Sequence, residues 1–262
     1  MNMLAVARAL VGAAALGAFG VALPARAEGP LVAAAANLKF VLEEIAKGYA
    51  TDGRAPPRLV FGATGNLVRQ IRQGAPFEML LAADEASVQQ LAKDGLSQGE
   101  GRVYAHGRLV LFALADSPLI PDIELAGLRQ LAASGTLRRL SIANPEHAPY
   151  GRAAREVLEK AGLWQAVVPR LVLGESVAQA MQFALIGDID GGLVPYSLVL
   201  APEIAGKGRY VLLPESGHQP IRQRMVLLRQ AGEQGRRFYA YMQSTDARRL
   251  LARYGYSDPP PE

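Results

Sequence analysis

Short apolar runs alternate with amphipathic segments along most of this chain. Residues 31–35 form one such run, and apolar side chains then recur at helical spacing from Leu38 to Tyr49. Continuous apolar runs bounded by turns predict buried strands, whereas a 3.6-residue recurrence predicts helices. Strands that alternate with helices are typical of parallel βαβ units, so the pattern predicts an α/β fold.

The strand–helix unit recurs along the chain in two groups, one for each predicted lobe. Further strands are predicted at 58–61, 77–82, 107–114, 140–143, 171–173, 192–194 and 225–228, and helices at 67–71, 87–93, from the turn at Tyr150 to Lys160, 177–186 and 234–254. The run at 107–114 has no helical pattern directly after it, which suits a strand that crosses between two lobes, and the run at 225–228 is predicted to cross back. We therefore predict that lobe 1 comprises residues 28–112 and 226–262, and lobe 2 residues 113–225.

The first 27 residues have the composition of a secretory leader. They contain two arginines and no acidic residue, an apolar run at 9–23, and the small-residue triplet Ala25-Arg26-Ala27. The apolar run is about 15 residues long, short of the roughly 20 that a helix needs to cross a bilayer. We expect a signal peptide at 1–27, cleaved after Ala27, and a product outside the cytoplasm; the alternative is an uncleaved anchor.

Composition excludes several classes of function. Cysteine is absent, so the chain has neither disulfides nor a thiolate metal site. Its 28 basic and 24 acidic residues nearly balance, it has one Trp, and no basic block occurs, which argues against nucleic-acid binding. The three histidines, His106, His147 and His218, lack the spacing of metal ligands, so we expect no catalytic metal.

Candidate binding chemistry lies in four polar turns, each between a predicted strand and a predicted helix. Two turns fall in each lobe: Ala36-Asn37, Ala63-Thr64-Gly65, Pro149-Tyr150 and Ser176-Val177. Ligands of open parallel sheets collect at the carboxyl ends of strands, and helix N-termini there bind anions through free backbone N–H groups. For any single turn the alternative is simple helix capping, but recurrence in both lobes favours an anion site.

These turns lie within stretches that resemble a known family. The stretches are 34–38, 73–77 with 82–85, 143–151 and 253–256, and the most specific is Asn144-Pro145-Glu146-His147-Ala148-Pro149-Tyr150-Gly151. In this order they resemble the periplasmic molybdate-binding proteins of ABC transporters. The resemblance implies a type II periplasmic binding protein, in which two Rossmann-like lobes are joined by two crossing strands.

The resemblance also implies a set of ligand residues. They are Ala36, Asn37, Thr64, Tyr150 and, through its backbone N–H, Val177. One branch of the family places a Tyr hydroxyl after the strand that corresponds to 192–194; here Pro195 takes that position and Tyr196 follows it. We therefore expect Tyr150 to supply this contact, as in the other branch, and Tyr196 to be a packing residue.

The implied site holds its anion with amide N–H groups, an Asn side chain and hydroxyls, without a charged side chain. Molybdate, tungstate and sulfate are fully deprotonated near neutral pH, whereas phosphate keeps a proton and needs an acceptor. An unmatched buried donor or acceptor costs about 1 to 3 kcal/mol, which is enough for strong discrimination. We expect a periplasmic monomer without cofactor or enzymatic activity that captures molybdate or tungstate for an inner-membrane ABC permease; sulfate or another oxyanion is the alternative ligand.

A secreted hydrolase is the alternative from another functional class. Gly174-Glu175-Ser176-Val177-Ala178 comes close to the G-x-S-x-G nucleophile motif, and Asp188 or Asp190 followed by His218 would complete a triad. The last glycine of the motif is Ala178 here, and no His-Gly-Gly oxyanion-hole motif precedes it. A helix cap explains Ser176 equally well, so this hypothesis depends on whether the fold brings the three side chains together.

Overall fold

Two lobes make up this protein in a computed structural model that describes residues 28–51 and 53–257. Each lobe is built on one five-stranded mixed sheet with helices around it. The expected α/β, bilobal fold is confirmed. The predicted signal peptide, residues 1–27, lies outside the described residues.

Strands and helices alternate throughout the first part of the chain, which forms most of lobe 1. Its elements are β1 (Leu31–Ala35), a 3-10 turn (Ala36–Leu38), α1 (Lys39–Ala50), β2 (Arg58–Gly62), α2 (Thr64–Arg72), β3 (Met79–Leu81), α3 (Glu85–Lys93) and β4 (Arg102–Gly107).

The middle part of the chain forms lobe 2, and the last part returns to lobe 1. Lobe 2 contains β5 (Leu109–Leu114), α4 (Ala126–Ala133), β6 (Leu140–Ala143), α5 (Pro149–Lys160), α6 (Trp164–Val167), β7 (Leu171–Gly174), α7 (Val177–Ala184), β8 (Gly191–Pro195), α8 (Tyr196–Val199) and β9 (Gly208–Leu212). The returning part contains β10 (Ile221–Leu227), α9 (Glu233–Tyr241) and α10 (Thr245–Arg253).

The two sheets have corresponding strand orders. The order is β2-β1-β3-β10-β4 in lobe 1 and β7-β6-β8-β5-β9 in lobe 2. In each sheet the first three strands are parallel, and the strand that enters from the other lobe, β10 or β5, pairs antiparallel with both of its neighbours. The parallel strands of each lobe therefore end at one edge of its sheet.

The crossing points differ from the predicted lobe boundaries at residues 112 and 225. β5 pairs with lobe 2 strands from Leu109 onward, and β10 pairs with lobe 1 strands from Ile221 onward. The crossings therefore fall at Arg108 and within 213–220. An apolar run is equally apolar in either sheet, so hydrophobicity locates a strand without saying which sheet it joins.

Two further elements depart from the sequence prediction. The predicted strand 107–114 is β5 preceded by a separate strand, β4, whose alternating polar residues gave no continuous apolar run. The predicted helix 234–254 is two helices, because Ser244 leaves the helical conformation and its hydroxyl accepts a hydrogen bond from the N–H of Ala247. A serine at this position starts a new helix instead of continuing the old one.

The central strands are buried on both faces because helices cover both sides of each sheet. In β1, Val32 and Ala34 pack into one apolar cluster with α1 and α10, whereas Ala33 packs on the opposite face with α2 and α3. This two-sided burial explains why these strands are continuous apolar runs. Among the described residues no helix is both long and apolar enough to cross a membrane.

We predict that Asp190→Ala destabilises lobe 2. Asp190 is fully buried, and its carboxylate accepts hydrogen bonds from the backbone N–H of Arg138 at 2.7 Å and from the Arg138 Nε at 2.7 Å. Removing the buried carboxylate leaves the partly buried N–H and the guanidinium of Arg138 without their acceptor, which costs about 1 to 3 kcal/mol. Urea unfolding should show this loss, and Asp188→Ala, at a side chain that is 94% exposed, should not.

Candidate functional site

A small cavity lies between the two lobes; the space outside the atoms there, including the part open to solvent, is about 190 Å³. All five residues proposed from the sequence line it, and the full lining is Ala35, Ala36, Asn37, Gly62, Ala63, Thr64, Ala83, Ala148, Pro149, Tyr150 and Val177. None of these eleven residues has a charged side chain. The cavity is therefore polar only through backbone groups, one amide and two hydroxyls.

Strand order explains why these turns meet. Ala36 follows β1 and Thr64 lies after β2 in lobe 1, whereas Tyr150 lies after β6 and Val177 after β7 in lobe 2. Each pair of strands is parallel and adjacent, so their carboxyl ends share one edge of the sheet. The two edges face each other across the cavity, as expected for a site between two open sheets.

Helix starts supply the backbone donors. Thr64 and Val177 are the first residues of α2 and α7, and Tyr150 is the second residue of α5 after Pro149. N–H groups in the first turn have no carbonyl acceptor within their own helix, and the helix dipole makes this end positive. Proline has no N–H and fits the first helical position, so the N–H of Tyr150 is the first donor of α5.

The Thr64 hydroxyl is held so that it can donate into the cavity. Its oxygen accepts a hydrogen bond from the N–H of Ala83 at 3.0 Å, and the side chain is fully buried. Ala63, not Thr64, is the N-cap residue of α2, so simple capping does not account for this hydroxyl. An oxygen that already accepts one hydrogen bond keeps its proton available for another acceptor.

The Tyr150 hydroxyl has the same arrangement. Its oxygen accepts a hydrogen bond from Nε2 of Gln223 at 3.0 Å, and Tyr150 is 2% exposed. Burial, and next the neighbouring Tyr256, raise the pKa of Tyr150 well above that of an exposed tyrosine. The hydroxyl therefore remains protonated, and it remains a donor, throughout the physiological pH range.

The Asn37 side chain differs from its predicted role as a direct donor. Its Nδ2 donates to Oε1 of Gln223 at 2.9 Å and to the hydroxyl of Tyr256 at 2.7 Å. Both amide hydrogens are thus used within the protein, so Asn37 can donate into the cavity only through its backbone N–H. Its own carbonyl accepts from the hydroxyls of Ser197 and Tyr256, each at 2.9 Å.

Sequence reasoning missed the residues behind the cavity, chiefly Gln223, Tyr104 and Ser197. A signal for Gln223 is present in the sequence. It lies between Ile221 and Met225 at a spacing of two, and both of these residues are buried in β10. A polar side chain in phase with the buried face of a strand requires a buried partner.

The lobes are closed around the cavity. The N–H of Gly65 in lobe 1 donates to the carbonyl of His147 in lobe 2 at 2.9 Å, and Arg152 of lobe 2 pairs with Asp84 of lobe 1 at 2.9 Å. The lining residues Asn37, Thr64, Tyr150 and Val177 are at most 6% exposed. A ligand can enter only if the lobes separate.

Two alternatives from the sequence can now be compared with the structure. Tyr196 is not among the lining residues; its ring packs on that of Tyr210, with 5.6 Å between the ring centroids. The hydrolase triad is not assembled, because Ser176 follows the carboxyl end of β7 whereas Asp190 precedes the amino end of the parallel strand β8. Ser176 is the N-cap of α7 and accepts from the N–H of Gln179.

No cluster of potential metal-ligating side chains occurs within the described ranges.

Comparison with known proteins identifies the family of this chain. The profile of the family described as bacterial extracellular solute-binding protein matches residues 30–257. The molybdate-binding protein ModA of Rhodobacter capsulatus is 34% identical over 249 residues, which are 94% of this chain and 95% of the relative. ModA of Azotobacter vinelandii is 37% identical over 245 residues, 92% of this chain and 95% of the relative.

A solved structure is also similar over nearly the whole length. The periplasmic molybdate-binding protein of Azotobacter vinelandii superposes with a TM-score of 0.79 at 27% sequence identity, covering 88% of this chain and 100% of that one. The bilobal fold is thus that of a solute-binding protein.

We predict that Gly65→Ala weakens binding of a small tetrahedral oxyanion by hindering closure. A Cβ at Gly65 would lie 2.9 Å from both Cβ and the carbonyl oxygen of His147 in the other lobe. The clash exists only when the lobes meet, so the unliganded protein should keep its thermal stability while its affinity falls at least tenfold. Isothermal titration and thermal unfolding of both proteins measure the two effects.

A matched control is Gly74→Ala, because a Cβ at Gly74 would meet no atom within 4 Å and lies away from the lobe contact. Its positive φ of 89° should lower stability without lowering affinity. Wild-type affinity in Gly65→Ala would contradict the role of Gly65 in closure.

Proposed function

The chain belongs to the bacterial extracellular solute-binding proteins, and on that premise we propose that it captures molybdate between its lobes. The observation that carries this proposal is the cavity between the lobes whose lining contains polar donors and no charged side chain. The proposed ligand contacts are the backbone N–H groups of Ala36, Asn37, Thr64, Tyr150 and Val177 with the Thr64 and Tyr150 hydroxyls. No direct bond from the protein to molybdenum is needed.

The donors select a fully deprotonated oxyanion. Each hydroxyl in the cavity already accepts a hydrogen bond from the protein, Thr64 from Ala83 and Tyr150 from Gln223, and so presents its proton to the ligand. Hydrogenphosphate would bring its own proton to a cavity in which no carboxylate can accept it. Molybdate and tungstate have the same charge and shape, so we propose that both bind.

The use of helix N-termini instead of cationic side chains also suits reversible binding of the anion. Burying a charged side chain costs several kcal/mol that its attraction to the ligand must offset. Partial positive charge at a helix N-terminus contributes about 0.3 to 1 kcal/mol per end at exposed sites and needs no desolvated cation. When the lobes separate, these N–H groups return to water without leaving a buried charge behind.

We further propose that the protein acts in the periplasm as a monomer, after cleavage following Ala27, and delivers its ligand to an inner-membrane ABC permease. The leader composition and the family support export. Mass spectrometry of protein recovered from the periplasm should give a chain that begins at Glu28.

Titration of the mature protein tests the ligand. We expect tight binding of molybdate and tungstate, and much weaker binding of phosphate, each measured by isothermal titration and by thermal shift. A response to sulfate alone would assign the protein to a neighbouring specificity. No heat and no thermal shift with either metal oxyanion would contradict the proposal.

We predict that Tyr150→Phe and Thr64→Ala each weaken molybdate binding by about 1 to 3 kcal/mol, because each leaves one ligand oxygen without a donor. Thr64→Ser keeps the hydroxyl and should bind nearly as well as wild type. Tyr210→Phe changes an exposed tyrosine outside the cavity and should have no effect. Isothermal titration gives the four affinities, and wild-type affinity in both cavity variants would show that the contacts are misplaced.

A further inference from the structure

Gln223 occupies the centre of a buried hydrogen-bond network behind the cavity. It is fully buried in β10, and its Oε1 accepts from Nδ2 of Asn37 at 2.9 Å and from the Tyr104 hydroxyl at 2.8 Å. Its Nε2 donates to the Tyr150 hydroxyl at 3.0 Å. One side chain thus joins two residues of lobe 1 to a cavity residue of lobe 2.

The direction of each hydrogen bond follows from a fixed acceptor at one end of the network. The backbone carbonyl of Asn37 can only accept; the Ser197 hydroxyl donates to it, and the Tyr256 proton has this carbonyl and the Ser197 oxygen as its two acceptors within reach. The Tyr256 oxygen then accepts from Nδ2 of Asn37, and the second hydrogen of that nitrogen points to the Gln223 carbonyl. The Gln223 amide nitrogen is left to face Tyr150.

We infer that Gln223 is a positioning residue that makes Tyr150 an obligatory donor and thereby sets the preference for deprotonated oxyanions. This inference rests on the proposed oxyanion site. Because Nε2 of Gln223 occupies a lone pair of the Tyr150 oxygen, the Tyr150 proton must point elsewhere, and the cavity is the polar space that Tyr150 lines.

A ligand that presents its own proton cannot easily reverse this arrangement. To accept such a proton, Tyr150 would have to turn its own hydrogen away from the ligand, and the polar group that its oxygen contacts there is Gln223. The Gln223 carbonyl would then have to replace its amide nitrogen, which would bring that nitrogen against Nδ2 of Asn37, donor against donor, unless Asn37 also turned its Oδ1, unpartnered within the described part of the chain, into this position and gave up the hydrogen bond from Nδ2 to Tyr256. An unmatched buried donor of this kind corresponds to about a tenfold to hundredfold loss of affinity.

Local geometry supports a dedicated role for this contact. A Cβ at Gly107, where β4 ends, would lie 2.1 Å from the Tyr150 hydroxyl oxygen and 2.6 Å from Nε2 of Gln223. The two groups meet in space that any larger residue would fill. The Gln223 contact therefore depends on a glycine at the crossing between the lobes.

A double-mutant cycle tests whether Gln223 acts through Tyr150. We expect Gln223→Leu to weaken molybdate binding at least tenfold in the wild-type background and to have little further effect when Tyr150 is already Phe. Equal losses in the two backgrounds, or wild-type affinity in Gln223→Leu, would overturn the inference. Binding of molybdate by the wild-type protein is measured first, so failure of the proposed function is a separate result.

Gln223→Glu provides a second test that keeps the side-chain shape. A protonated Glu can still donate to Tyr150, whereas an ionised Glu must accept from it and turns a Tyr150 lone pair toward the ligand. A buried Glu can titrate at about pH 8 to 9, so the affinity of this variant relative to wild type should fall as pH rises from about 6 to 9.

The surroundings of Gln223 make this profile interpretable. The titratable groups that face it are Tyr104 and Tyr150, with Tyr256 behind Asn37, and burial raises the pKa of all three. His147 and Glu175 contact each other near the cavity and are present in wild type and variant alike. Gln89→Glu, on the exposed face of α3, adds the same charge outside the cavity, and its molybdate affinity should vary with pH as that of wild type does. If the molybdate affinity of Gln223→Glu divided by that of wild type stays constant with pH, the inference is contradicted.

Discussion

Enclosing a doubly charged anion without a cationic side chain requires every polar atom that faces it to donate a hydrogen bond. The donors of the cavity come from helix starts and from hydroxyls that already accept a hydrogen bond from the protein, and Oδ1 of the lining residue Asn37 is a buried acceptor without a donor among the described residues. A hydroxyl alone would be indifferent, since it can donate or accept. The N–H groups of Ala83 and Gln223 donate to the Thr64 and Tyr150 hydroxyls and so favour the orientation in which each hydroxyl donates to the ligand. Selectivity therefore depends on atoms behind the lining as much as on the lining.

The same requirement shapes the contact between the lobes. A cavity of this size excludes water only when both sheet edges meet. Polar contacts between the lobes include the Gly65 to His147 hydrogen bond, the Arg152 to Asp84 ion pair and the Gln223 to Tyr150 hydrogen bond, and apolar side chains of both lobes pack in one cluster. The ion pair is partly exposed, and such pairs contribute little to stability. The ion pair is therefore a minor contribution to closure beside the buried hydrogen bonds and the apolar packing between the lobes.

Much of the fold could be predicted from the sequence because burial of the parallel strands on both faces produces continuous apolar runs, as in β1 and β5. The four turns could be predicted because a polar or proline-containing segment must join such a strand to the next helix. The sheet that β5 and β10 join could not be read, since pairing partners are not encoded in hydrophobicity. The roles of Asn37 and Gln223 were also hidden, because the direction of a side-chain amide depends on residues more than a hundred positions away.

Lobe 2 is made from one continuous stretch of chain, whereas lobe 1 requires β10 to lie between β3 and β4. A chain that emerges from its N-terminus onward can complete lobe 2 once residue 220 has appeared, but the lobe 1 sheet has a gap until the last part follows. Gln223 and Tyr256, which orient the donors, belong to that last part. The order of synthesis thus delays the ability to hold an anion until the chain is nearly finished, and a partly exported molecule has no assembled cavity in which to retain one.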